Sequence, residues 1–94
     1  LLEISPGFTI AWYHLGTAAA QKCDNDLMLA AFGKVLERHP RSQAAHYHSG
    51  VAHFRKGNLD EALTCFRTAV EINPEDRKSA ENLRALEEMR MRFS

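Results

Sequence analysis

Apolar side chains recur along this chain at spacings of three and four residues, which is the pattern of amphipathic α-helices. The small or apolar positions between residues 44 and 56 are Ala45, Tyr47, Val51, Ala52 and Phe54. Ser42 stands where an N-cap residue would begin this helix, and Gly57-Asn58 interrupts the pattern at its other end. The pattern therefore predicts a helix over residues 44–56.

A second apolar stripe follows directly. Its members are Ala62, Leu63, Phe66, Ala69 and Val70. Asn58 and Glu61 have the spacing of a capping box at its start, and Asn73-Pro74 marks its end. Two short helices joined by a tight turn form a hairpin, and alanine at positions 52 and 62 allows them to cross closely. A hairpin this thin cannot bury both stripes alone, so we expect it to stack on neighbours.

This hairpin pattern occurs twice, at the constant offset that separates Gly16 from Gly50. The other matching positions are Pro6, Pro40 and Pro74; Glu3, Glu37 and Glu71; Phe32 and Phe66; Lys22 and Lys56; and the pairs Tyr13-His14 and Tyr47-His48. Self-similarity at such a period is the signature of stacked repeats. We therefore expect an earlier hairpin with helices over residues 9–22 and 27–39, the second capped by Asp24.

The pattern changes after Pro74, where Asp76 can cap one further helix. The apolar stripe of this helix is Ala80, Leu83 and Leu86. Arg84 replaces the glycine of the two earlier units, and most other positions are charged, as expected for a terminal cap that faces water. Met89, Met91 and Phe93 either dock on the preceding hairpin or contact a partner.

The prediction is an all-α fold in one domain. Two stacked hairpins cover residues 9–42 and 43–76, and a capping helix covers residues 77–94. Residues 1–8 are interpreted as the tail of a preceding repeat, which suggests that the chain is a segment of a longer protein.

Specific residue types recur at fixed places in each unit. The first unit carries Trp12, Leu15, Gly16, Phe32 and Pro40, and the second carries Gly50, Ala62, Phe66, Ala69 and Pro74. In this pattern the chain resembles the tetratricopeptide (TPR) repeat family over nearly its whole length. It departs from the family pattern at Ala19, Met28, His46, Ser49 and His53. The resemblance implies a right-handed α-solenoid fragment.

The resemblance also implies that the front helices line a concave groove that binds an extended peptide or a helix of a partner protein. By the repeat alignment the groove residues are Tyr13, His14, Thr17, Gln21, Tyr47, His48, Val51, Phe54, Arg55, Lys78 and Asn82, with Ile10 and Ala44 beside them. This set is aromatic and polar rather than charged. The two tyrosines are either interface anchors or packing residues between helices, and both interpretations remain open.

Some members of the family grip a C-terminal carboxylate with Lys and Asn at fixed places in successive front helices. This chain has Tyr13 and Thr17 at the first two places and His48 at the third. Lys78 matches the pattern, but Asn82 replaces the arginine that follows it. We therefore predict that the chain is not such a clamp.

Composition argues against two classes of partner and bears on the compartment. Twelve basic and twelve acidic residues give zero net charge at pH 7, and therefore no field that attracts nucleic acid or anionic lipid. No apolar run approaches the roughly 20 residues needed for membrane insertion. Cys65 is interpreted as a small core residue, and Cys23 as an inert turn residue or a reactive thiol. Unpaired cysteines fit a reducing compartment, so we expect a cytoplasmic location.

The chain shows no pattern typical of catalysis or metal binding. Its histidines include no pair at i, i+4, and it has no nucleophile turn or Gly-rich phosphate loop. We expect no metal, no cofactor and no enzymatic activity.

Two functional hypotheses remain. The first is a non-catalytic interaction module, serving as an adaptor or scaffold, that presents the groove to a partner protein. The alternative is a structural segment that self-assembles, either into a homo-oligomer or within a longer array, through its open repeat edges. At least three repeats usually make a stable stack, and this chain has two with fragments beside them.

Overall fold

The computed structural model describes residues 6–93, which form five helices joined by short turns. The helices are α1 Pro6–Gln21, α2 Asn25–Arg38, α3 Gln43–Arg55, α4 Leu59–Ile72 and α5 Arg77–Phe93. Each helix packs on the next, so α1–α2 and α3–α4 are two stacked hairpins and α5 covers the second. The described residues contain no strand, and the all-α prediction is confirmed.

Of the helix N-caps predicted at Asp24, Ser42 and Asn58, the first two are present. An Oδ1 atom of Asp24 accepts a hydrogen bond from the Leu27 N–H at 3.2 Å, and the Ser42 hydroxyl accepts one from the Ala45 N–H at 3.3 Å. The capping box predicted at Asn58 is wrong, because this side chain makes no cap hydrogen bond. Its amide nitrogen lies 3.4 Å from Nδ1 of His53 instead, since the turn directs it back toward α3.

The first helix begins earlier than its apolar pattern predicts. It starts at Pro6 rather than at residue 9, because proline fits the first position of a helix, where its missing N–H needs no partner. Residues 6–8 are therefore its first turn. The rest of the segment interpreted as a preceding repeat, residues 1–5, lies outside the described residues.

The turns inside the two hairpins have the same backbone geometry. Cys23 has φ 58° and Gly57 has φ 85°, and the two residues occupy the same place in successive repeats. Glycine adopts this left-handed conformation freely, whereas a β-carbon makes it unfavourable by about 1 kcal/mol. The first hairpin therefore has the same turn as the second, but it places cysteine where the second has glycine, the residue that adopts this conformation more easily.

The core of each hairpin is a phenylalanine ring placed against a glycine. Phe32 of α2 and Phe66 of α4 are almost fully buried. A β-carbon on Gly16 would lie 2.6 Å from the Phe32 ring, and one on Gly50 would lie 2.9 Å from the Phe66 ring. Because glycine has no side chain, the two helices of each hairpin pack closely enough for the phenylalanine ring to lie directly against the glycine backbone.

Candidate partner-binding groove

A cavity of about 300 Å³ lies between α3 and α5, with α4 as its floor. The side chains that line it are Tyr47, Val51, Phe54, Phe66, Asn82, Ala85, Leu86 and Met89. Most of these side chains are apolar, and Phe54 and Met89 at its edge are 43% and 37% exposed. The site is thus an apolar recess that opens to solvent.

The residues beside the buried phenylalanine differ between the two repeats. The ring of His48 in α3 stacks on Phe32 in α2, with centroids 4.8 Å apart and planes 12° from parallel. One repeat later in the sequence, Asn82 stands in the place of His48, and Ala85 stands in the place of Val51. Both replacements are smaller, so the histidine ring that lies against Phe32 has no aromatic counterpart against Phe66.

A polar network holds α5 in place beside the groove. The side-chain amide of Gln43, at the start of α3, donates to Oδ2 of Asp76 at 2.5 Å and to the hydroxyl of Ser79 at 2.9 Å. The Ser79 hydroxyl, itself fully buried, donates to the same carboxylate oxygen at 2.6 Å. The Ser79 N–H also donates to it at 3.4 Å, which confirms Asp76 as a cap.

The hydrogen bond from the Ser79 side chain lowers the pKa of Asp76 below its ordinary value. Burial opposes this effect less strongly, and the bond from Gln43 adds to it. The charged form therefore stabilises the fold. This contribution is complete above the ordinary pKa of about 4 and is lost as the pH falls through the lower pKa of the folded state.

We expect Asp76→Ala to lower the free energy of unfolding by about 1 kcal/mol at pH 7, because it removes an N-cap. The difference from the wild type should shrink as the pH falls below about 4, where the wild-type carboxylate is also lost. Urea unfolding at a series of pH values measures this difference in the free energy of unfolding. Glu75→Ala, which removes an exposed neighbouring carboxylate, is the control. A difference that is constant with pH would contradict the role given to the carboxylate.

Two exposed ion pairs also join α5 to α4. Asp60 pairs with Arg90, and Arg67 pairs with Glu87 at 3.7 Å. Because all four side chains are about half exposed or more, these pairs contribute little to stability. They lie on α4 and α5 and are separate from the cavity lining.

Four of the residues predicted for the groove line the cavity: Tyr47, Val51, Phe54 and Asn82. The sequence argument missed the other four, which are Phe66, Ala85, Leu86 and Met89. The repeat offset carried a signal for two of them, because Ala85 is the counterpart of Val51 and Met89 is the counterpart of Arg55. Met89 lines the cavity together with Phe66, so the structure favours docking on the second hairpin over contact with a partner for this residue.

The predicted residues of the first front helix are not part of this cavity. Tyr13 is half-buried and packs edge-on against Phe32, with ring centroids 5.7 Å apart. His14 and Gln21 are exposed, and the Thr17 hydroxyl donates to the His14 carbonyl within its own helix at 2.9 Å. Tyr47 likewise packs on Phe66, at 5.8 Å, so both tyrosines have a packing role.

The remaining predicted residues are Arg55 and His48 of α3, which face α2, and Lys78 of α5. Arg55 directs a guanidinium N–H at the sulfur of Met28, 3.9 Å away. Burial lowers the pKa of His48 below its ordinary value, and the positive charge of Lys78 lowers it further. His48 is partly buried and stacks on Phe32, so it has a packing role between the repeats.

The two cysteines occupy different surroundings. Cys23 is exposed in its turn, and Cys65 is half-buried. Burial raises the pKa of the Cys65 thiol, and the nearby Glu61 charge raises it further. Because the thiolate is the reactive form, a raised pKa disfavours reaction at Cys65.

A family model described as tetratricopeptide repeat matches residues 24–77, which is more than half of the chain. This match covers α2, α3 and α4 and reaches the first residue of α5. The chain belongs to the tetratricopeptide repeat family. TPR repeats are generally non-catalytic modules of protein interaction, so the family implies protein partners. The search of curated proteins found no match to this TPR chain. None of the helices in residues 6–93 is both long enough and apolar enough to cross a membrane.

Proposed function

We propose that this TPR chain binds a partner protein by taking one bulky apolar side chain of a peptide or helix into the cavity between α3 and α5. The observation that supports the proposal is the open apolar recess of about 300 Å³ beside Phe66, whereas the equivalent ring, Phe32, has the His48 ring stacked on it. Apolar recesses with a few polar groups are the usual form of a binding site.

The lining indicates what the cavity would accept. Aliphatic and aromatic walls favour a branched or aromatic side chain, and the Asn82 amide is the polar group placed to orient the partner. Burying such a side chain is worth about 1.5–3 kcal/mol, which corresponds to an affinity change of about ten- to a hundredfold. Tyr47 and Phe54 supply rigid aromatic surface at the edge, the kind of residue that anchors interfaces.

The experiment is to fill the cavity by replacing Asn82 with histidine, the residue that stands at the equivalent position, His48, in the preceding repeat. Asn82→His should stack on Phe66 as His48 stacks on Phe32, and so close the recess while preserving the fold. Short linear peptides selected from a phage library against the wild-type chain serve as probes. We expect synthetic copies of the selected peptides to bind the variant at least about tenfold more weakly in fluorescence anisotropy titrations.

Glu81→His is the matched control, because it adds a histidine to an exposed site of the same helix outside the cavity lining. Its affinity for the peptides should stay within about twofold of the wild type. Equal binding by the Asn82→His variant, or a selection that yields no peptide requiring a bulky apolar residue, would refute the proposal. An adaptor or scaffold role for the chain and a cytoplasmic location remain predictions.

A further inference from the structure

A recess of about 310 Å³ lies on the exposed side of α5, and all the side chains that line it belong to that helix. The lining consists of two alanines and four charged residues: Ala80, Ala85, Arg77, Glu81, Arg84 and Glu88. The charged side chains are exposed, and the ion pairs found within residues 6–93 include none of them. By contrast, Glu87 and Arg90 of the same helix pair with α4. The charges around the recess are therefore free to meet a partner surface.

The order of these residues is symmetric along the helix. Arg77 and Glu88 lie equally far from the point midway between residues 82 and 83, as do Glu81 and Arg84, and as do the two alanines. When two identical helices pack antiparallel about a two-fold axis at that point, the members of each pair lie level with each other across the contact. Each arginine then faces a glutamate, and each alanine faces an alanine. The face is thus complementary to itself in the antiparallel orientation, whereas parallel helices would place like charges together.

Pairing within α5 gives these charges little in return. Arg77 precedes Glu81 by four residues, and Arg84 precedes Glu88 by four. An ion pair on a helix is weaker in this order than when the acidic residue comes first. A second copy of the helix therefore offers these side chains better partners than their own helix does.

The recess does not suit the packing that the earlier front helices use. In α1 and α3 the residue equivalent to Arg84 is a glycine, Gly16 or Gly50, and the phenylalanine of the next helix lies directly against it. A long charged side chain at this place prevents a helix from approaching in the same way. The contact that fits this face is therefore different from the contact inside a hairpin.

We propose that two copies of this chain associate through this face, with their α5 helices antiparallel about a two-fold axis. The alanines leave room for the helices to approach, and the arginines and glutamates around them form ion pairs between the copies. The contact does not depend on peptide binding in the groove, with which it shares Ala85 as a lining residue. It spans about 16 Å of one helix and is smaller than a standard interface. We expect a weak dimer with a dissociation constant on the order of 100 μM.

Sedimentation equilibrium of the chain at concentrations up to about 1 mM measures this association. The wild type should dimerise in about 0.01 M salt, and the dimer should be at least about tenfold weaker in about 0.5 M salt, because salt screens the ion pairs. The amide NMR signals that shift as the concentration rises should lie on α5, between Arg77 and Glu88.

Two single charge reversals test the pairing. Glu81→Arg places an arginine level with Arg84 of the second copy, and Arg84→Glu places a glutamate level with Glu81. Each variant should dimerise at least about tenfold more weakly than the wild type, because like charges then meet on both sides of the axis. Both sites are exposed, so circular dichroism should show an unchanged fold. Glu71→Arg, the same change at an exposed site of α4, is the control and should stay within about twofold.

Combining the two reversals should restore the dimer. A mixture of Glu81→Arg and Arg84→Glu chains again brings opposite charges together, and so does a double variant that carries both changes in one chain. The double variant regains its partners only in the antiparallel orientation, so it also tests the two-fold arrangement. A wild type that is monomeric at about 1 mM in low salt would overturn the proposal and leave the face to another protein. A dimer that both single variants retain, or a double variant that stays monomeric, would overturn it as well.

Discussion

Phe32→Ala is expected to lower the free energy of unfolding by about 3–5 kcal/mol. The ring is fully buried, packs edge-on against Tyr13 of α1 and stacks on His48 of α3. Its removal therefore leaves an enclosed cavity that touches both hairpins. A domain of this size has a stability of about 5–15 kcal/mol, so the loss is a large part of the total.

Urea unfolding followed by circular dichroism measures this loss. Phe54→Ala is the matched control, because it makes the same chemical change at a ring that is 43% exposed, and it should lower stability by no more than about 1 kcal/mol. Phe66→Ala should have a smaller effect than Phe32→Ala, since the space it leaves joins the open groove. Equal losses at Phe32 and Phe54 would show that the junction between the repeats is not the stabilising core.

Gly16→Ala is expected to lower the free energy of unfolding by about 1–3 kcal/mol, although alanine is the better helix former. The new β-carbon would lie 2.6 Å from the Phe32 ring, a distance that carbon atoms do not tolerate. The ring cannot move aside easily, because the side chains of α1 and α3 hold it from both directions. The two helices of the first hairpin must separate instead.

Gly33→Ala is the control for helix propensity. This glycine is also inside a helix, but no described neighbouring atom lies within 4 Å of the place its β-carbon would take. It should therefore gain about 0.5–1 kcal/mol of stability from the better helix-forming residue. Urea unfolding of both variants compares the two signs directly. A stabilising Gly16→Ala substitution would contradict the close approach of α1 and α2.

The sequence by itself determined the class and the architecture of this protein. The constant offset that pairs Gly16 with Gly50 and Phe32 with Phe66 predicts two equal hairpins, and the structure has them. The caps at Asp24 and Ser42 were predictable for a related reason. Helix periodicity and capping depend on residues within one or two turns of each other, so they can be read from local spacing.

Only the tertiary structure decided where the candidate site lies. The repeat alignment placed His48 and Asn82 at equivalent groove positions, but His48 stacks on Phe32 and Asn82 lines a cavity beside Phe66. The alignment also could not show that Asn58 turns toward His53. Each of these outcomes depends on which side chains meet across a gap between helices that are distant in sequence. A repeat pattern specifies that helices stack, whereas the particular side chains that meet between the helices decide the local packing of each gap.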